Sequence, residues 1–472
     1  MKHLDEYPDR ASSDAQGFQR SLTNRHVQMI ALGGAIGVGL FLGSGRAISH
    51  AGPGLLLAYA IAGAAVFFIM RALGELTLHR PVSGSFVSYA EQYVGPFAGF
   101  ATGWSYWFVW ITAGIAELSA IGIYTHYWFP SIPQWMPALL TLAVLYACNL
   151  LSVKLFGELE FWFAIVKIAT ILAVLIAGPL VLVFGWGEVG RSAAVANLWN
   201  HGGLFPAGTI GVITALPIVI FAFAGVELLG VTAGEAQNPE KSLPRATNAV
   251  AWRIAIFYIG PMLILMMLMP WTSFSAAESP FVKIFGLMGL PVAASIINVV
   301  VITAAASSCN SGIFSSGRML YTLARSGQAP RRLERISRNH VPIGGINASA
   351  MTLLVGVALN YFIPEKVFVY VTSVSLIGVL WTWIMIMLCH LRYRNAVAHG
   401  DALPVSFMMP GAPYVNWVVI AFLVIIAGCL AFDEGTRIAL YATPIWFAVL
   451  AIAFRLLRHR RAPSEDVRPA TT

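Results

Sequence analysis

The stretch that most constrains this chain runs from Gly33 to Gly45, where six glycines fall among thirteen residues. Each glycine costs a helix about 1 kcal/mol relative to alanine. Yet no charge interrupts the run from Val27 to Gly45. Backbone at membrane depth that cannot stay helical must line a cavity or be buried in protein, because lipid satisfies neither N–H nor C=O. The expectation is a discontinuous transmembrane helix whose opened backbone holds a small polar solute.

The rest of the chain fits a membrane setting. It is 58% hydrophobic and 11% charged, against about 25% charged in an ordinary soluble domain. About 20 apolar residues cross a bilayer, and twelve such segments can be drawn. They cover 27–48, 53–76, 96–124, 136–152, 158–184, 209–232, 251–270, 290–322, 344–362, 368–391, 415–432 and 437–457. The third and eighth are long, which predicts tilt or extension beyond the membrane. Residues 1–26 and 458–472 read as polar tails, and the first carries no cleavable signal peptide. The 233–250 loop, with its Asn238-Pro239 step and Pro244, reads as a structured turn rather than a helix.

The net charge of +8 is a topology signal rather than a nucleic-acid footprint. Most of the lysines and arginines fall on the face that holds both tails, which places the termini in the cytoplasm. Only Arg46, Arg191, Lys283, Lys366 and Arg437 fall on the opposite face. Lys167 alone lies mid-membrane. The four cysteines sit in apolar segments at no metal spacing and read as small buried hydrophobes. No phosphate-binding loop and no nucleophile–base pair is present, so neither ATP coupling nor an enzyme is expected.

A second interruption lies in the sixth segment, where Pro217, Gly225 and Glu227 fall within eleven residues. Interrupted segments at corresponding positions of two halves point to a transporter's binding site. Five segments per half would invert the second half relative to the first. The alternative is that the glycines merely let helices pack closely.

Several stretches together carry a family resemblance. Leu22-Thr23-Asn24-Arg25-His26 leads into the glycine run, and Met70-Arg71-Ala72-Leu73-Gly74-Glu75 and Pro81-Val82-Ser83-Gly84-Ser85-Phe86 follow. Phe156-Gly157-Glu158-Leu159-Glu160, Thr232-Ala233-Gly234-Glu235-Ala236 and Asn310-Ser311-Gly312 complete the set. From about residue 20 to 457 the chain resembles amino acid permeases of the amino acid–polyamine–organocation superfamily, in its bacterial amino acid transporter family. Asn197 to Pro206 and Thr443 to Phe447 resemble the D-alanine/D-serine/glycine branch; proline, threonine and aromatic permeases share much of the pattern. The resemblance implies an all-α polytopic protein of the LeuT type in a bacterial inner membrane. Twelve helices would form a permease domain over 27–457. Residues 27–184 and 209–391 would be the two inverted repeats, helices one and six would be unwound, and 415–457 would follow. It implies import of a small neutral amino acid by proton symport. An exchanger and a non-transporting amino acid sensor are the alternatives. The partners are the amino acid, a proton and the bilayer, with no cofactor, metal or nucleic acid.

The site follows from the substrate's two charges. Backbone N–H groups of Ile36, Gly37, Val38 and Gly39, at a half-helix N-terminus, would hold the carboxylate. Carbonyls of Phe221, Ala222 and Ala224, freed at the sixth break, would accept from the ammonium. Phe221 matches the aromatic that closes over substrate in the superfamily. Tyr106 and Trp110, four apart on one helix face, are candidate pocket walls. Glu227 would bond the opened backbone of the first helix, hold the ammonium indirectly, carry a proton or brace the break. Intramembrane charges are expensive and mark function. Lys167 is the clearest, and the resemblance implies a proton-linked role with carbonyls of the first segment and hydroxyls of the eighth, Ser307 and Ser308, as partners; the alternative is a structural cation tethering helices. Glu117 is a brace or a proton relay. Glu158 and Glu160 read as the start of the fifth helix, and Glu75 and Glu235 as partners of loop arginines.

Overall fold

The computed structural model describes residue 29 and residues 36–82, 84–151, 153–233, 239–276, 278–288, 291–339 and 341–460. The described residues are helical and contain no strand. Among them, eight helices are long and apolar enough to cross a membrane, and three more of 10–17 residues are apolar but shorter. The tails at 1–26 and 461–472, Gly33 to Ala35 and Glu235 lie outside the described residues.

In chain order the principal helices are α1 (Val38–Phe41), α2 (Gly43–Ala51), α3 (Leu55–His79) and α4 (Pro96–Thr125). Next come α5 (Trp135–Leu151), α6 (Val153–Phe184), α7 (Gly208–Ala222) and α8 (Leu228–Ala233). The second half continues with α9 (Pro239–Asn248), α10 (Gly260–Leu268), α11 (Pro291–Arg325) and α12 (Ile343–Phe362). The chain closes with α13 (Pro364–Ala398), α14 (Tyr414–Cys429) and α15 (Glu434–Arg460). The centre of the molecule is α4, which packs most extensively on α11 and α13. Most of its residues are buried, so its apolar surface runs all round rather than along one stripe.

Three expectations are corrected here. The loop after the sixth segment is not a turn throughout: α9 covers Pro239–Asn248. Pro239 stands at its first position, where a missing N–H costs nothing. Pro217 does not break the sixth segment, since α7 carries through it; neighbouring protein tolerates such a proline at membrane depth. The fifth helix begins at Val153, not near 158, so Glu158 and Glu160 stand in its second and third turns rather than at its N-terminus.

The later interruption is present, and the described part of the first segment opens on non-helical backbone at Gly37, residues 30–35 lying outside the described residues. Gly37 is extended (φ −124°, ψ −160°) and precedes α1 without a side-chain cap. The later helix stops at Ala222 and resumes at Leu228. Gly225 between them has φ +99°, a backbone region that glycine enters without steric cost.

A buried polar cluster ties together α3, α13 and α14. Glu75 of α3 is 1% exposed and is held by Arg394 Nε at 2.8 Å. It also pairs with His390 Nε2 at 2.9 Å and accepts from the Met409 N–H. The side-chain amide of Asn416 of α14 lies 3.0 Å from His390 Nδ1 and fixes the ring beside Glu75. The arginine expected to pair with Glu75 thus comes from α13 rather than from a loop. Glu75→Ala strands a guanidinium, an imidazole and an amide. It is expected to cost about 3 kcal/mol of stability, read as a fall in thermal midpoint in detergent.

Candidate functional site

Both interruptions face one small cavity of about 20 Å³. Gly37 and Gly39 line it from the first, Phe221, Ala222, Ala224 and Gly225 from the second, and Trp110, Glu117 and Ser308 close it. The two breaks touch at Gly39. A Cβ there would lie 2.8 Å from Ala222 Cα and 3.2 Å from its N, inside any normal contact distance. Glycine is needed at this point because backbone meets backbone.

The N–H groups of the first break are not all open. Val38 N–H donates to both carboxylate oxygens of Glu117, at 3.4 Å each. These are long bonds, and they put a carboxyl group at the start of a helix, where the partial positive charge favours the ionised form over the neutral one. A Cβ on Gly37 would come within 2.6 Å of Glu117 Oε1 and 3.1 Å of Ser308 Oγ. Glu117 therefore sits where the sequence placed the substrate's carboxylate. Ile36 and Val38 have buried side chains, so their backbones are what they can offer a ligand.

The acceptors at the second break are also partly engaged. The Phe221 carbonyl accepts from Ala224 N–H at 3.0 Å, and the Ala222 carbonyl from the Tyr258 hydroxyl at 3.3 Å. Each keeps a second lone pair, but neither is unpaired as expected. Among the described residues, Glu227 makes no hydrogen bond to the first helix. Its carboxylate accepts from Gly225 N–H at 3.2 Å to each oxygen and from Trp383 Nε1 at 3.3 Å. It braces its own break. Tyr106 is buried edge-on against Phe86, ring centroids 4.8 Å apart, and against Trp110 at 6.0 Å. Only Trp110 of that pair lines the cavity.

Lys167 is wholly buried on α6. It does not line the central cavity, but it interacts electrostatically with Glu160 and Glu117. The hydroxyl of Ser307, expected beside Lys167, donates to Glu160 at 2.9 and 3.0 Å. Ser308 is the hydroxyl at the Glu117 side. Glu160 is the residue that sequence reasoning missed. The signal was present: Glu160 and Lys167 are seven apart, two turns of one helix, and so share a face.

The site's chemistry is thus a pair of opened backbones meeting at a small cavity, with an acid at its floor and a buried base behind. Residues 26–467 match the family model described as Amino acid permease. The chain belongs to that family. This permease is 49% identical to a probable threonine/serine transporter of Bacillus subtilis over 437 residues, 92% of this chain and 94% of the relative. It is 43% identical over 458 residues to the L-asparagine permease of Escherichia coli, covering 96% and 92%. To the D-serine/D-alanine/glycine transporter of the same organism it is 43% identical over 457 residues, covering 96% and 97%. The relatives span nearly the whole permease, and the glycine run and the buried charges lie inside the matched range.

Proposed function

We propose that this permease is a secondary active transporter that brings a small neutral amino acid into the bacterial cell with a proton. On this reading it has twelve membrane spans with both termini cytoplasmic. The first ten form two inverted five-helix repeats of the LeuT type, with spans one and six broken. The observation that carries the proposal is the contact of the two breaks at Gly39 and Ala222, beside a cavity holding a carboxylate. A zwitterion needs a donor set and an acceptor set a few ångströms apart, and the two breaks supply both. Trp110 and Phe221 leave little room for a long side chain, in keeping with relatives named for serine, threonine, asparagine, alanine and glycine.

The proton enters through charge balance. Glu117 and Glu160 share one buried ammonium, Lys167, which leaves one negative charge in excess when all three are ionised. Taking up a proton neutralises the group. A protonated Glu117 binds the Val38 N–H less strongly, because a hydrogen bond to an ionised acceptor is about twice as strong as a neutral one. The substrate carboxylate then replaces it. Proton and substrate therefore load together, and alternating access carries both across.

Purified permease in proteoliposomes with an acidic exterior is expected to accumulate labelled serine, alanine or glycine. Unlabelled D- and L-amino acids in competition rank the substrates. Collapse of the pH gradient with an ionophore abolishes accumulation. Persistence after collapse together with a sodium requirement overturns proton coupling. Uptake that occurs only with amino acid inside the vesicles identifies exchange instead.

A further inference from the structure

A cavity of about 510 Å³ lies away from the two breaks, in the size range of small-molecule sites, about 300–1,000 Å³. One wall is apolar: Phe97 and Phe100 of α4, with Phe454 and Leu457 of α15. The Phe454 ring stands 5.5 Å from Phe97 and 5.4 Å from Phe100, centroid to centroid. The other wall is polar. It holds Glu91, in the π-helical turn Ala90–Val94, and Gln328, just past the end of α11. On the topology proposed above, the start of α4 and the ends of α11 and α15 all lie at the cytoplasmic membrane surface. Among the eight long apolar helices α15 is the one that protein covers least. Only 6% of its most apolar stretch is buried, against 78% for α4. Ile445, Val449, Ile452 and Leu456 are exposed along it, so the cavity sits beside lipid.

Gln328 is the unusual residue of this wall. The end of α11 is a Schellman turn: Gly327, at φ +64°, donates its N–H to the Ala324 carbonyl at 2.8 Å, and Gln328 donates its own to Leu323 at 2.7 Å. The second residue past the cap commonly packs an apolar side chain back on the helix. Here it is a glutamine, 6% exposed. Its Nε2 donates to Glu91 Oε2 at 3.3 Å. Its Oε1 is buried and, among the described residues, without a partner. A buried acceptor left unsatisfied is costly. Placed where leucine would be ordinary, it calls for a ligand that donates.

We propose that this cavity binds a phospholipid with a primary ammonium head, of the phosphatidylethanolamine class. The ammonium donates to Gln328 Oε1 and to Glu91, and an acyl chain lies against Phe97, Phe100, Phe454 and Leu457. The two polar side chains select the head. With Nε2 spent on Glu91, both offer acceptors only, and the carboxylate favours a cation. A trimethylammonium head carries the charge but has no N–H to give. A glycerol head has donors, but its lipid is a net anion. The aromatic wall suits both parts of the ligand, because a ring face attracts an ammonium and covers a hydrocarbon chain. Arg455, exposed on the same turn of α15 as Phe454 and Leu457, stands at the level of the lipid phosphate. The Gln328 carbonyl also accepts from Trp104 Nε1 of α4 at 3.2 Å. The bound lipid therefore joins the outlying α15 to the central helix.

The inference uses the proposed topology but not the transported substrate, and its test needs no uptake. Full-length permease in detergent is incubated with equimolar dioleoyl phosphatidylethanolamine, phosphatidylcholine and phosphatidylglycerol, and retained lipid is read by native mass spectrometry. One phosphatidylethanolamine is expected to stay bound, about tenfold in preference to the other two. Glu91→Gln and Gln328→Leu are each expected to erase that preference, the loss of one charged hydrogen bond. Gln328→Leu keeps the turn and its apolar contact, so it folds. Leu457→Trp fills the apolar end and is expected to lower retention of all three lipids. A phosphatidylethanolamine with a diazirine in its acyl chain is expected to label the peptides that carry Phe100 and Phe454. Equal retention of the three lipids by the wild type, an undiminished preference in folded Gln328→Leu, or labelling confined to other spans overturns the site. Uptake measured on the same preparations stands apart. Accumulation without lipid preference overturns this site alone, and lipid preference without accumulation overturns the transport reading alone.

Discussion

A valine at position 39 is expected to abolish amino acid uptake. The atom that a Cβ would meet is Ala222 Cα at 2.8 Å, which is backbone and cannot rotate away. The two breaks would have to separate, and the donor and acceptor sets they carry would separate with them. A displacement of about 1 Å in a binding constellation costs about a hundredfold in rate, and valine demands more than that. Uptake in proteoliposomes, with folding checked by gel filtration, reads the effect. Gly428→Ala is the matched control, since a Cβ there meets nothing within 4 Å. Wild-type uptake by Gly39→Val would show that the breaks do not hold the substrate.

The second large effect is at Lys167. Lys167→Ala leaves Glu160 and Glu117 in a buried space without an ammonium. Removing one partner of a buried charge set costs about 3–5 kcal/mol, so the single variant is compared with Lys167→Ala/Glu160→Gln, which restores the charge balance. Both are expected to lose at least about tenfold of the accumulation driven by a pH gradient. Binding of labelled amino acid by the double variant is expected to persist. Gradient-driven accumulation at the wild-type level in the folded double variant would reject Lys167 as the coupling residue.

Both predictions concern residues visible in the sequence, and the reason is physical. A glycine run or a lone lysine in a charge-free apolar segment violates what lipid permits, so it announces itself. Glu117 and Gly37 were legible for the same reason, Phe221 through the family resemblance, and they meet at one cavity. Features that depend on where a helix begins were not legible. Glu160 looked like a residue of the first turn because the apolar pattern starts near 158, whereas α6 starts at Val153 and carries Glu160 into the interior. The turn read over 233–250 failed similarly, because Pro239 can open a helix as readily as it ends one. The partnership of Arg46 with Asp433 spans 387 positions, and no local rule brings such residues together. Nor does sequence say that Glu227 folds back on Gly225.

The bond from Val38 N–H to Glu117 also bears on the carrier's return stroke. A carrier that releases its cargo inside must travel back with its site vacant. Exposed donors at the end of a helix would make that journey unfavourable, and the carrier would wait for an outgoing amino acid before moving. Here a side chain of the protein fills in for the departed carboxylate. On the proposed transport reading, the Val38 donor of the vacant carrier is then not left open, and its reorientation needs no passenger. On that same reading, such a resident stand-in favours net uptake over one-for-one trade.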